Sequence, residues 1–400
     1  MAKPVGRPPL EGIRVLDVGT RISAPFCAGL LGEMGADVIK VEDPQGGDDL
    51  RAIGPFEGSR SLWFAVEGRG RKSVTCNLRT RLGQLLFRRL AETADVLVEN
   101  FSPGTMERWG LGPETLPDHL VYARISAYGQ TGPYSGRKGL DRVAVAFGGL
   151  LHLTGDPQGP PFKCGVNISD YLTGVFTAES VMAALYARDA TAYGRGQVVD
   201  ASLYGSVLRI LEWTIAAHDR LGVVRDRSGN RSSNAAPADE FLTLDGRYAG
   251  IVAAADGTFT RLCQAMGRPE LAEDPHFATA ADRVTNRAVL EELVTHWTSS
   301  RTLQEVESLC LAEGVPIGVE NTATEIASDP HVAARGDLVI VQDPVLGPVR
   351  QQAPYPAMSG FERQVPCGAP ELGQDNEAVW CRLVGLDPTE LAEARAQGAI

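Results

Sequence analysis

Residues 165–174 read GVNISDYLTG, a short polar patch (Asn167, Ser169, Asp170) set just before a long apolar run. Aspartate is favoured at helix starts, where it accepts backbone N–H bonds. The same N–H groups and the helix dipole keep a carboxylate ionised when it is partly buried. An ionised carboxylate can in turn attack an activated acyl group as a covalent nucleophile. Local pattern leaves both roles open for Asp170: a cap on a helix over 170–189, or the group that does the chemistry.

Cationic residues gather nearby in the sequence. GRGRKSVTCNLRTR supplies Arg69, Arg71, Lys72, Arg79 and Arg81, and SGRKGLD supplies Arg137 and Lys138. NFSPGTMERWG places Arg108 one turn inside a helix start at Pro103-Gly104. Arginine and lysine bind phosphate directly, and helix amino ends favour anions. These stretches are therefore candidates for holding a phosphorylated small molecule, the plainer alternative being solvated loop charge.

Other chemistries lose support. The six histidines (119, 152, 218, 276, 296, 331) form neither H-x-x-x-H nor H-E-x-x-H, which disfavours a metal centre. No G-x-S-x-G elbow, Walker A loop or G-x-G-x-x-G fingerprint is found, which argues against hydrolase, ATP and dinucleotide sites. Seven cysteines stand singly, with no C-x-x-C pair, and read as small buried hydrophobes in a reducing compartment.

The elements that would position these residues follow an α/β rhythm. IRVLDVGT (13–20), ADVIKVE (36–42), KSVTCNL (72–78), DVLVENF (95–101) and LVYARISAYG (120–129) read as strands, with helical stretches between them. Strands alternating with helices predict βαβ units, a mainly parallel sheet, and ligands at the carboxyl ends of its strands. The helix after Asp170 carries apolar residues at 171, 172, 175, 176, 181, 182 and 185. Another strand and helix are expected over 194–222. The texture changes at RDRSGNRSSNAAPAD (225–239), the best linker candidate. A hairpin turned at Asp245-Gly246 and helices near 257–267, 281–299 and 302–313 would build a smaller α+β domain. A second hairpin (337–353) and two terminal helices follow. The expected division is 1–224 for the large domain, 225–239 for the linker, 240–330 for the small domain and 331–400 for a C-terminal segment.

With 400 residues, 44% hydrophobic and 22% charged, the chain is long enough for more than one domain. A net charge of −12 gives no global support for nucleic acid or an anionic membrane as partner. No apolar run of membrane-spanning length is present, and MAKPVGRPPLEG lacks a signal-peptide core. A cytoplasmic protein is expected.

The ordered set of motifs carries more than any one of them. GIRVLDVGTRISAPFCAGLLGEMGADVIKVEDPQGGDDLR, RGRKSVTCNLRT, ADVLVENFSPGTMERWGLG, SAYGQTGPYSGRKGLD and DYLTG follow one another here. Together they closely resemble the family III CoA-transferases, the group containing formyl-CoA transferase. The likeness runs from about residue 10 to 390. It implies a Rossmann-like large domain, a smaller domain, a C-terminal segment returning to the large one, and two chains interlocked as a homodimer. It also implies transfer of CoA from an acyl-CoA donor to a free carboxylic acid, with dicarboxylates among the candidate acceptors, no prosthetic group and coenzyme A as substrate. The family's catalytic carboxylate falls on Asp170, which would form an aspartyl anhydride and then an aspartyl-CoA thioester. Its CoA-binding positions fall on Ile22, Ser23, Cys76, Asn77, Leu78, Arg79, Asn100, Phe101, Arg108, Arg137, Lys138, Gly139 and Leu140. On this view Arg79, Arg108 and Lys138 become phosphate partners, while Arg69 and Arg71 stay with the solvated face. Arg21 and Arg51 are candidates for a second carboxylate, or else surface charges.

Two departures refine the resemblance. NRSSNAAPADEF lacks the glycine run that closes over the site in formyl-CoA transferase, so formate and oxalate are not expected substrates. Gly139-Leu140-Asp141 has leucine where racemases of the superfamily place histidine, which counts against paired-base chemistry. An acyl-CoA racemase or epimerase and a non-catalytic CoA-binding protein remain the alternatives.

Overall fold

The computed structural model describes residues 6–232 and 234–400. The chain divides into two compact units, one of residues 1–150, 164–219 and 333–400, the other of 151–163 and 220–332.

The first unit is built on a six-stranded sheet: β1 (Arg14–Asp17), β2 (Asp37–Glu42), β3 (Lys72–Thr75), β4 (Val96–Glu99), β5 (Val121–Ser126) and β6 (Val198–Ser202). Its spatial order is 3-2-1-4-5-6 and every pairing is parallel. Strands β1 to β5 are covered on both faces and are largely buried, whereas the edge strand β6 stays half-exposed. Alternate residues serve opposite faces. Leu16, Ile39, Val74 and Leu97 pack with Leu86, Phe87 and Leu90 of a helix over Arg81–Ala91, and with Trp380 and Leu391 near the C-terminus. Val15, Val38, Val96 and Val121 pack instead with helix α1 (Ser23–Glu33) and the long helix α2 (Ile168–Ala190).

The C-terminal segment also closes the β3 edge of the sheet. Asp375 accepts the Ser73 N–H at 2.8 Å, and the Asn376 amide pairs with both the N–H and the hydroxyl of Thr75. An edge strand covered in this way presents fewer open backbone groups to another chain.

Of the apolar positions expected on α2, Val181 and Leu185 are buried, Tyr171, Leu172, Phe176 and Met182 are half-buried and Val175 is exposed; the small and polar Ser169, Thr173, Gly174, Thr177 and Ala178 are buried as well. Small residues admit close approach of α1, and the threonine hydroxyls are satisfied by bonds to carbonyls four residues back, Thr173 to Ser169 at 2.6 Å and Thr177 to Thr173 at 2.7 Å. A side chain at Gly174 would bring its Cβ to 2.9 Å from Phe26 Cδ1 and 3.1 Å from the Ser23 carbonyl.

The second unit holds an antiparallel three-stranded sheet of Ala238–Leu242, Tyr248–Val252 and Ile317–Val319, with Tyr248–Val252 in the centre. The first two strands form the expected hairpin. Helices over Asp256–Ala265, Arg287–Ser299 and Leu303–Ala312 cover the sheet around Phe259, Leu262, Val294 and Trp297. The helix expected over 281–299 is two, Ala280–Thr285 and Arg287–Ser299, because the chain leaves helical geometry at Asn286.

Candidate active site

In a 3-2-1-4-5-6 sheet the connections leave β1 and β4 in opposite directions, opening a crevice at their carboxyl ends. A cavity of about 430 Å³ lies there. Val18, Val41, Leu78, Phe101 and Trp109 form its apolar wall, and Asp43, Asp48, Asp49 and Arg79 its polar rim. Phe101 and Trp109 meet edge to face, with centroids 5.2 Å apart.

The loop after β1 is shaped by its neighbour across the crevice. Asn100 accepts the Thr20 N–H at 2.9 Å, and its amide donates to the Thr20 carbonyl at 2.8 Å and to Ser23 Oγ at 3.2 Å. Gly19 sits beneath this bridge, where an added Cβ would lie 2.4 Å from that of Ala24. Ile22 and Ser23 are thereby fixed at the start of α1, both buried.

Beneath the same loops lies a buried charge network. Lys40 Nζ stands 2.7 Å from Asp48 and 3.3 Å from Asp17, and Arg71 donates to Asp17 at 2.8 Å and to the Pro25 carbonyl at 2.5 Å. Glu42 accepts from both ends of the Arg51 guanidinium at 2.7 Å and from Ser73 Oγ at 2.6 Å. Asp17, Lys40 and Asp48 are at most 2% exposed. Burial opposes the Lys40 ammonium, but Asp17, Asp48 and Glu42 outweigh it and hold its pKa above the ordinary lysine value. Burial likewise opposes the charged forms of Glu42 and Asp48. Arg51 and Lys40 bring Glu42 below the usual carboxylate range, and Lys40 with the Leu50 and Arg21 N–H groups does so for Asp48.

These contacts correct several expectations. Arg71 is not a solvated charge but a buried partner of Asp17. Arg69 is half-buried and paired with Glu33 at 2.7 Å. Arg51 is taken up by Glu42, whereas Arg21 stays exposed, with a left-handed φ of 66° and an ion pair to Asp49. Reading along the chain missed Asp17, Lys40, Glu42 and Asp48, whose single charges within apolar strands or loops gave no local signal.

The expected CoA contacts separate into groups. Cys76, Leu78, Arg79 and Phe101 line the cavity, and Ile22, Ser23 and Asn100 stand behind it through Thr20. Burial pushes the Cys76 thiol up, so this residue serves as wall and not as nucleophile. Asn77 bonds to the C-terminal segment, its N–H reaching the Ala399 carbonyl at 2.8 Å. Arg79 is exposed and paired with Asp43. Arg108 closes a one-turn helix by donating to Thr105 Oγ1 at 2.8 Å. Arg137 stacks 3.6 Å from the Tyr134 ring centroid, and Lys138 beside it is exposed. Gly139 lies against Ala127, and Leu140 precedes helix α3 (Asp141–Phe147). Arg108 and residues 137–140 do not line the cavity.

Asp170 is not the cap of its helix. Helix α2 begins at Ile168 with Asn167 at the cap position, so Asp170 falls third, inside the first turn and half-buried. The positive end of the helix still faces that turn and favours the carboxylate. Ser169 donates its backbone N–H and its hydroxyl to Asp141 Oδ1, at 2.9 and 2.8 Å. One turn after Asp170 on the same side of the helix, Gly174 rests on Ser23 and Cys27. The two helix starts therefore lie together, bringing the Asp170 turn toward the Ile22-Ser23 loop.

A doubly wound parallel sheet with a cavity at its switch point is the arrangement in which open α/β proteins seat ligands; Asp170, on a neighbouring helix start, is not among the residues that line the cavity. The profile of CoA-transferase family III matches residues 10–376, and the chain belongs to that family; it is a CoA-transferase. Succinyl-CoA–D-citramalate CoA-transferase of Chloroflexus aurantiacus is 42% identical over 98% of both chains. The succinyl-CoA–L-malate CoA-transferase beta subunit of the same organism is 40% identical, again over 98% of each. A CaiB/BaiF family protein from Brucella suis superposes with a TM-score of 0.83 at 33% identity, covering 94% of this chain and 99% of its own. Among the described residues, no helix is long and apolar enough to cross a membrane.

Proposed function

We propose that this enzyme moves CoA from the thioester of a short dicarboxylic acid, such as succinyl-CoA, to a second free dicarboxylic acid, with Asp170 as nucleophile. A carboxylate oxygen of Asp170 attacks the thioester carbonyl, and CoA leaves as thiolate, giving a mixed anhydride. The thiolate then attacks the Asp170 carbonyl carbon and releases the donor acid, leaving an aspartyl-CoA thioester. The acceptor carboxylate repeats the sequence in reverse and restores Asp170. Thioester energy is carried through as anhydride and thioester, so the scheme balances without ATP or an electron carrier.

The observation that carries this reading is Asp170 in the first turn of a helix whose start is clamped by Asp141. A carboxylate there is kept ionised and aimed. The dicarboxylate class rests on the acids in the relatives' names, succinate with citramalate or malate. The cavity loops would seat CoA, with Cys76–Arg79 and Asn100–Phe101 along pantetheine and adenine, and Arg79, Arg108, Arg137 and Lys138 toward the phosphates. The unit of residues 1–150, 164–219 and 333–400 would act as the CoA-binding domain and that of 151–163 and 220–332 as the small domain, in an interlocked homodimer. Native mass determination should give twice the chain mass; a monomer contradicts that assembly.

Asp170→Ala tests the chemistry. It should abolish exchange between succinyl-CoA and free dicarboxylic acids while CoA binding and cooperative unfolding persist. Exchange at the wild-type rate contradicts the proposal.

A further inference from the structure

The residue after Asp170 is held as firmly as the residue before it, by a separate carboxylate. Tyr171 donates its hydroxyl to Glu67 Oε1 at 2.8 Å, across 104 positions of sequence. Its ring meets Phe26 of α1 edge to face, with centroids 4.8 Å apart. Glu67 ends a short helix over Leu62–Glu67, an element distinct from those bearing Asp141 and Phe26. Tyr171 is thus fixed at ring and at hydroxyl. A rotation of the first turn of α2 about its axis would break the bond to Glu67.

That matters because a helix start is where order is weakest: its first N–H groups lack intrahelical partners, and helix ends fray. A nucleophile placed there needs anchoring from outside the helix. Asp141 anchors through Ser169 on one flank. We propose that Glu67 is a positioning residue for Asp170, acting through the Tyr171 hydroxyl. The inference rests on the proposed nucleophilic role of Asp170 and adds to it a second anchor. Glu67 has no part in bond making. Burial raises its pKa, and Arg69, Arg71 and Glu33 are the other charged groups that face it.

Tyr171→Phe is the informative variant, since it keeps the ring on Phe26 and removes the hydroxyl alone. With succinyl-CoA as donor, kcat and the single-turnover rate of covalent adduct formation should fall roughly ten- to a hundredfold, as for a displaced reacting group. KM for succinyl-CoA should stay within about twofold of wild type, because the CoA contacts lie elsewhere. Trp63 also bonds the Tyr171 hydroxyl, so Glu67→Leu should lose most of the rate that Tyr171→Phe loses, and Glu67→Gln, which retains an acceptor oxygen, should recover most of it. The Glu67→Leu/Tyr171→Phe double variant should be no worse than Tyr171→Phe alone. Thermal unfolding and CoA affinity report whether each variant is folded. Adduct formation at the wild-type rate in folded Tyr171→Phe, additive losses in the double variant, or a loss confined to KM overturns the inference alone. A wild-type enzyme that forms no adduct on Asp170 overturns the nucleophile reading beneath it.

Discussion

Ser169 gives both its backbone N–H and its hydroxyl to one oxygen of Asp141, at 2.9 and 2.8 Å, and so ties the start of the Asp170 helix to the start of α3. Both residues are buried, which makes the arrangement sensitive to loss of either partner. Asp141→Ala should lower stability by about 1–3 kcal/mol through two donors left without their acceptor. It should also lower kcat more than it raises KM for the CoA ester. Chemical denaturation and steady-state kinetics check the two effects; unchanged kcat in a destabilised but folded variant would reduce Asp141 to a packing role.

Gly174 sets how closely α1 approaches the Asp170 helix. Gly174→Val places branched methyl groups where Phe26 and the Ser23 carbonyl already stand. Overpacking of this kind costs about 1–3 kcal/mol. The predicted result is a lower unfolding midpoint together with impaired transfer. A variant with wild-type stability and rate would show that the helices can separate at no cost.

The buried network under the cavity gives a stability profile with two limbs. Glu42 and Asp48 have depressed pKa values, so their contribution is present above the unfolded carboxylate value near ~4 and is lost as pH falls through the folded values. Lys40 has a raised pKa, so its contribution is complete below the unfolded value of about 10.4 and is lost as pH rises through the folded one. Lys40→Ala leaves two carboxylates short of a cation and should cost about 3–5 kcal/mol at neutral pH. The difference between wild-type and variant melting curves should shrink above about pH 10.4. A difference that stays constant there would assign Lys40 a packing role only.

Arg79 lines the cavity and is exposed while paired with the half-buried Asp43, so a phosphate can compete for it. Arg79→Ala should raise KM for succinyl-CoA about tenfold, the size of one hydrogen bond to a charged group, with kcat retained at saturation. S-succinyl-pantetheine, which has no phosphate, should be converted equally by both proteins. Equal KM values for succinyl-CoA would remove Arg79 from the phosphate contacts.

How much of this could be read along the chain depends on the range of the interactions. Strands β1 to β5 were legible, because burial on both faces leaves runs such as VLVE and VYARIS in the sequence, whereas the half-exposed edge strand VVDAS was placed only within 194–222. Asp170 was legible as a helix-start carboxylate, but not its place inside the first turn, since one polar patch offers several cap residues. The packing face of α2 was legible at Val181 and Leu185 but not at Ser169, Thr173 and Thr177, which look solvated until their hydroxyls are seen bonded to Asp141 and to carbonyls within the helix. Arg71 with Asp17, and Tyr171 with Glu67, lie 54 and 104 positions apart and leave no mark in local composition. Long-range polar contacts of this kind hold the loops and helix starts in place, and only the folded chain brings them together.

The central claim, covalent catalysis on Asp170, is met most directly by trapping. The enzyme is incubated with succinyl-CoA and hydroxylamine, digested, and the peptide carrying GVNISDYLTG is sequenced by mass spectrometry. The account predicts a hydroxamate at Asp170, formed only with the CoA ester present and in step with loss of activity. Activity lost to a hydroxamate on another residue, or exchange that continues undiminished with Asp170 unmodified, would contradict it.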